Sequence, residues 1–531
     1  MRLLLTALLC TGLLGCVQAS PGALPEGPAT AAAPGPFAFD EATVAGLQAR
    51  MAAGELTSVG LTRAYLDRIA AIDDAGPALH AVIELNPDAL GDAGALDAER
   101  AAGKVRGPMH GIPVLLKDNI DAVPMVNSAG SLALVGHRPA EDAFLVRRLR
   151  AAGAVILGKT NLSEWANFRS TRSISGWSSR GGQTKSPYAL DRNPCGSSAG
   201  TGTAIAANLA TVGVGTETDG SIICPSAVAG LVGIKPTVGL VSRDGVIPIS
   251  ASQDTAGPMA RTVADAAALL GAMAGADPDD PASAAAEGHV AADYTAFLDA
   301  DALRGTRIGV LRQAMGYHPD VDAATEAALD TLRGAGAEVV DVEVAGYDDW
   351  NAAEYQVLLY EFKDGLNAYL AGVEDGPRSL AELIEWNTAH AAEAMPLFGQ
   401  EILQAAEAKG PLTEQAYLDA KAKARRMAGA DGLLATLQQH RLDAIVAPSM
   451  SPPWLTDPVL GDHFVGAGYG MAAVAGTPSI TVPSGESHGL PLGITFMGPA
   501  WSEPRLVALA YAFEQLTHAR KPPRFLPTIE P

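Results

Sequence analysis

At 531 residues, 48% hydrophobic and 18% charged, the chain has a globular composition and enough length to bury a large core. Asp and Glu total 59 against 37 Lys and Arg, a formal net charge of -22. A surface that acidic repels phosphate backbones, which excludes nucleic acid as a partner class.

In chain order, residues 1–19 read as an export signal. Arg2 precedes an apolar run from Leu3 to Leu14 that is too short to span a bilayer. Two processing sites compete: Leu13-Leu14-Gly15-Cys16 resembles a bacterial lipobox that would lipidate Cys16 and tether the protein to a membrane, whereas Val17-Gln18-Ala19 resembles an ordinary small-residue cleavage site. The expected location is periplasmic or in the cell envelope. Residues 20–36 form a Pro/Ala/Gly linker with no apolar periodicity, expected to be disordered. No later linker divides the chain, so 37–531 reads as one domain.

Behind the candidate caps Thr57 and Ser58, residues Leu61, Tyr65, Ile69 and Ile72 are spaced as the buried face of an amphipathic helix. "HGIPVLLKDNI" contains a strand-like run, and "DAFLVRRLRAAGAVILGKT" reads as helix, glycine stop and strand. From 203 to 265 an Ala-rich helix alternates with "ATVGVGTETDGS" and "GLVGIKPTVGLVS". Residues 271–300 and 380–440 look helical, with "TRIGVL" and "AEVVDVEV" as strands between them. "DAIVAPSMSPP", "SITVP" and "LGITFMGP" supply further strands, and "PRLVALAYAFEQL" a closing helix. This alternation predicts an α/β fold built on a largely buried sheet.

Several motifs compete for the chemistry. "GAVILGKT" at 153–160 matches a phosphate-loop pattern, but its middle residues favour a strand, so no nucleotide cofactor is expected. No metal is expected either, because the ten histidines are scattered and no H-E-x-x-H occurs. Residues 196–200 satisfy G-x-S-x-G, which would make Ser198 the nucleophile of an esterase. However, a polar, Pro-punctuated loop precedes it where an elbow needs a strand.

Lys117 ends the apolar run "IPVLL" and is one of ten lysines. Desolvation there would favour the neutral amine, which can act as a base. Read alone, the same lysine could snorkel to solvent. Ser221 lies in "TETDGSIICPS", where a strand-like run ends in a small-residue turn whose backbone N–H groups could converge on an oxyanion, or whose serine could merely make a local hydrogen bond. Cys195 and Cys224 could pair in an oxidising compartment or remain buried thiols.

"HGIPVLLKDNI", "LGKTNLSEW", "NPCGSSAGTGTAIAA", "GTETDGSIICPSAVAGLVGIKPTVGLVSRDGVIPIS" and "DTAGPMARTVADAA" resemble successive blocks of the amidase signature family, with weaker C-terminal similarity in "AGTPSITVP" and "LPLGITFMGP". The resemblance implies a single large mixed β-sheet core flanked by helices on both faces. It also implies a Ser-Ser-Lys triad with Ser221 as nucleophile, Ser197 as bridging serine after a cis Gly196-Ser197 bond, and Lys117 as base. Backbone N–H groups of Thr218, Asp219, Gly220 and Ser221 would form the oxyanion hole. Lys235 would belong to the scaffold.

This chain has Asp219 where many family members have the first glycine of D-x-G-G-S. A positive φ there would be tolerated by Asp, and its carboxylate would face developing negative charge unless it met an N–H-bearing group. That variant resembles bacterial peptide amidases, which remove the C-terminal amide nitrogen of peptides. The resemblance thus implies a small-molecule or peptide amide as substrate, with broad acylamide or aryl-amide hydrolysis as the alternative. Trp165, Trp177 and the helix at 354–370 are expected near the acyl pocket.

Overall fold

The computed structural model describes residues 35–530, so the export signal and lipobox on residues 1–19 and nearly all of the expected linker lie outside the described residues. The strands are β1 (Val82–Leu85), β2 (Pro113–Lys117), β3 (Val155–Thr160), β4 (Trp177–Ser178), β5 (Gly182–Gln183), β6 (Val212–Glu217), β7 (Val232–Lys235), β8 (Thr255–Ala260), β9 (Arg307–Leu311), β10 (Glu338–Val342), β11 (Ala444–Pro448), β12 (Ser479–Ser487) and β13 (Leu490–Met497). Eleven of them form one sheet in the order β1-β3-β2-β6-β8-β7-β12-β13-β11-β9-β10, and β4 with β5 makes a separate hairpin.

Side chains along a strand alternate between faces, yet every residue of β2, β3, β6, β7, β8, β11 and β13 is buried. Both faces of the central sheet are therefore covered, as the apolar runs predict. The sheet is mixed: β3, β2 and β6 run parallel, and β6 then pairs antiparallel with β8. Most of the segment 153–160 is strand β3 (Val155–Thr160), and its Lys159 is buried against Asp118 Oδ1 at 3.2 Å.

Helix signals hold where caps and periodicity agree. Thr57 caps Ser58–Ile72 by accepting from Gly60 N at 3.0 Å, and Leu61, Tyr65, Ile69 and Ile72 form its buried face. The expected helix over 271–300 is a correction. The helix Val263–Met273 ends early, and only short 3₁₀ turns at Pro281–Ala286 and Tyr294–Phe297 follow. Pro278 and Pro281 supply no N–H and disfavour helix before them, which outweighs the alanine content. Among the described residues no helix is long and apolar enough to cross a membrane.

Candidate active site

Parallel pairing of β2 with β6 sets Leu116 opposite Val214, which brings the end of β2 beside the end of β6. Ligand sites in such sheets form beyond the carboxyl ends of strands. Lys117, the last residue of β2, is fully buried and reaches Ser197 Oγ at 2.7 Å and Thr216 Oγ1 at 2.8 Å. Asn119 Nδ2 donates to the same threonine oxygen at 3.0 Å. Burial pushes the Lys117 amine down to about 7, against the opposing pull of Asp254 and Glu217.

Ser197 stands just before the helix Ala199–Ala206, and the Gly196-Ser197 peptide is cis. A Cβ on Gly196 would collide with Ser163 Oγ, which explains the glycine. Ser198 is buried, its hydroxyl donating to Thr216 O at 3.0 Å and its N–H to Ser221 O at 3.2 Å. The esterase alternative required that hydroxyl at an exposed elbow. Here it instead ties two loops together, because a helix start rather than a strand-to-helix elbow surrounds it.

The turn after β6 carries Ser221. Glu217 Oε2 accepts from Ile222 N at 2.7 Å and Ile223 N at 3.0 Å, pinning the start of the helix Ile223–Val228. Thr218 Oγ1 donates to Asp254 Oδ1 at 2.6 Å, and Gln253 Nε2 donates to Thr218 O at 3.2 Å. Ser221 Oγ and the N–H groups of Thr218, Asp219, Gly220 and Ser221 engage no other described protein group.

Gly220, not Asp219, takes the left-handed conformation, with φ 77°, and a Cβ there would strike the ring of Tyr469. The tolerance of Asp for a positive φ is thus not called on at position 219. The Asp219 side chain is exposed at the cavity surface while protein crowds it. That crowding, with the charges of Glu354, Glu217 and Asp348, raises its carboxyl well above the usual range.

A cavity of about 300 Å³ opens over Ser221. Phe168, Ile249, Leu358, Trp454 and Tyr469 give it apolar walls, and Asp219 and Asp462 are its charged lining residues. A cavity of about 400 Å³ nearby is lined by Arg243 and several carboxylates, among them Asp280 and Glu361, but Lys117, Ser197 and Ser221 do not reach it.

Trp165 and Trp177 do not line the catalytic cavity. Trp165 packs into a cluster with Phe168 and Phe362, and Trp177 meets Phe398 edge-on at 5.0 Å. Their chain neighbours Phe168 and Ser175, with Leu358 from the helix Asn351–Leu370, take the wall positions instead. Lys235 is buried and donates to Pro236 O at 3.2 Å, with no hydrogen bond to either serine. Cys195 and Cys224 form a disulfide, with 6.1 Å between their Cα atoms.

Sequence reading missed Thr216 and Asn119, although both lie inside the quoted motifs. It also missed Trp454, Asp462 and Tyr469, whose segment carries no local signal linking it to a serine more than 230 positions away.

The amidase family profile matches residues 60–507. The native peptide amidase of Stenotrophomonas maltophilia superposes with a TM-score of 0.89 at 58% identity, covering 92% of this chain and 100% of that one. A peptide amidase complex with the competitive inhibitor chymostatin gives 0.90 at 59% identity over the same shares. An Arabidopsis thaliana protein named "Probable amidase At4g34880" is 42% identical over 508 residues, 92% of this chain and 93% of its own.

Proposed function

The chain belongs to the amidase family and is an amide-hydrolysing enzyme, and from that premise we propose that it hydrolyses peptide C-terminal amides through an acyl-enzyme on Ser221. The carrying observation is the 2.7 Å contact between Lys117 Nζ and Ser197 Oγ, in a site where the amine's pKa falls to about 7.

At and above neutral pH, uncharged Lys117 takes the proton of Ser197, and Ser197 takes that of Ser221. Ser221 Oγ then attacks the amide carbonyl, and N–H groups of the Thr218–Ser221 turn receive the oxyanion. Each such donor is worth about 10²–10³-fold in rate. The relayed proton returns to the amide nitrogen, the C–N bond breaks and ammonia leaves. Water attacks the acyl-enzyme by the reverse relay and releases the carboxylic acid. The cavity of about 300 Å³, with aromatic walls, suits a residue or two of peptide. Broad acylamide or aryl-amide hydrolysis is the competing specificity.

Ammonia release from an amidated dipeptide, measured beside free amides and anilides, tests the reading. Ser221→Ala should be the most damaged variant, followed by Lys117→Ala and Ser197→Ala. Retained hydrolysis in Ser221→Ala would overturn the scheme. We also propose export. The apolar run after Arg2 and the disulfide between Cys195 and Cys224 both support an oxidising compartment. Mass spectrometry of the mature N-terminus distinguishes cleavage after Ala19 from lipidated Cys16.

A further inference from the structure

The loops that carry Ser197 and Ser221 are separated by a helix and strand β6, and beyond the Ser198 hydroxyl's contact with Thr216 O two links join them near the cavity. One is the hydrogen bond from Ser198 N to Ser221 O at 3.2 Å. The other is the Cys195–Cys224 disulfide, which joins the residue two positions before Ser197 to the residue three positions after Ser221. We propose that this disulfide is a positioning brace for the two hydroxyls, so that its reduction slows turnover without releasing substrate. The proposal rests on the triad reading above.

Three independent observations favour a brace over an incidental staple. First, Cys195 has φ 55°, the left-handed region that a Cβ disfavours and in which glycine is the usual occupant. Such a conformation persists where surrounding structure enforces it, and it concentrates at functional sites. The Cys195 N–H donates to Asn193 Oδ1 at 2.8 Å, and Asn193 is itself held by its N–H to Trp454 O at 2.7 Å and its Nδ2 to Ser175 O at 2.9 Å; the covalent link adds a tie from this turn to the helix that carries Cys224.

Second, Cys224 lies in the short helix Ile223–Val228 and donates its N–H to Gly220 O at 2.7 Å. A displacement of Cys224 is thus passed directly to the turn that presents Ser221. Third, Cys195 lines the catalytic cavity beside Gly196. It also packs with Cys224, Val228, Met450 and Trp454, so the bond joins the serine loops to the cavity's aromatic wall.

Reduction by a dithiol such as dithiothreitol transfers two electrons and two protons. The S–S bond becomes two thiols, and the reductant closes to its own disulfide. Cys195 and Cys224 are 6% and 1% exposed, so the accessible route to the bond is the cavity itself. A ligand seated there should slow reduction.

The test uses the full-length enzyme. Thiol counting after denaturation without reductant should find Cys195 and Cys224 unreactive. The double variant Cys195→Gly/Cys224→Ala removes the brace while giving position 195 the residue its φ prefers. Well below its melting temperature, kcat for an amidated dipeptide should drop by about tenfold or more, because small misplacements of reacting groups cost up to about 10² in rate, with KM within about twofold. Dithiothreitol should produce the same kcat loss in the wild type, reversed on reoxidation, and leave the double variant unaffected.

A merely structural disulfide would lower the melting temperature and leave kcat intact. That outcome, or two free thiols in the native protein, overturns the brace. Ser221→Ala assayed alongside separates the two failures. If it is inactive while the brace variants keep full kcat, only the brace falls. If it stays active, the triad reading itself has failed.

Discussion

In the proposed scheme the chemistry turns on Lys117, and its protonation makes a directional pH prediction. The amine must be neutral to accept a proton, and its pKa sits at about 7 because burial outweighs the pull of Asp254 and Glu217. The kcat/KM profile should therefore rise through about pH 7 and level off above it; a profile flat from pH 5 to 8 would contradict the assignment. The same burial affects stability. In the unfolded chain the lysine holds its proton to about pH 10.4, so between about 7 and that value the unfolded state binds more protons and stability climbs with pH. Below about 7 both states are protonated and the penalty is full. Lys117→Met should abolish ammonia release yet raise the melting temperature, most below pH 7 and least near pH 10, as calorimetry across that range would show. Lys117, Ser197 and Ser221 could be proposed from sequence because each stands in a contiguous block. Thr216 and Asn119 sit in those same blocks, but their hydrogen bonds to and around Lys117 exist only after β2 and β6 pair, so spacing along the chain could not reveal them.

At the scale of elements, the turn between β6 and the helix Ile223–Val228 decides whether backbone N–H groups can face a carbonyl. Its left-handed residue is Gly220, covered by the Tyr469 ring. Gly220→Ala meets two obstacles, a conformational cost of roughly 1–2 kcal/mol and a collision with that ring. The variant should lose both activity and thermal stability. Adding Tyr469→Ala makes room for the methyl group but leaves φ unfavourable, so part of the melting temperature should return while turnover stays low. Full recovery of both would show that φ at 220 is unimportant. Strands were legible as apolar runs, and the capped helix Ser58–Ile72 was legible from its periodicity. Of the two alanine-rich stretches read as helical, 380–440 is a run of helices from Leu380 to His440, whereas 271–300 is not, because Pro278 and Pro281 break the stretch after Met273. Whether position 219 needs a positive φ was left conditional by the sequence; the left-handed residue of the turn is its neighbour Gly220.

Across the whole molecule, the first half of the chain supplies Lys117, Ser197 and Ser221, and the C-terminal part supplies Trp454, Asp462 and Tyr469. The sheet brings these halves together, with β7 paired to β12 across its middle. That long-range closure is why the residues of the proposed triad could be singled out from contiguous blocks while the C-terminal cavity wall could not. It also sets the field a substrate meets. The chain carries a formal charge of -22, and the carboxyl groups lining the catalytic cavity are Asp219 and Asp462, both with pKa raised by desolvation, so the long-range field comes mainly from the rest of the acidic surface. An acidic surface raises the local concentration of cations and repels anions, and the effect weakens as salt shortens the Debye length from about 30 Å at 0.01 M to about 3 Å at 1 M. Amidated dipeptides that differ only in a lysine or a glutamate should therefore differ in kcat/KM, with the lysine substrate faster at low ionic strength. Added sodium chloride should narrow the gap, chiefly by slowing the lysine substrate, and kcat at saturation should change little because the charges act on encounter. Equal kcat/KM values at 0.01 M salt would show that the field does not reach the approach path, and a gap that survives 1 M salt would place the discrimination in direct contacts with Asp219 instead.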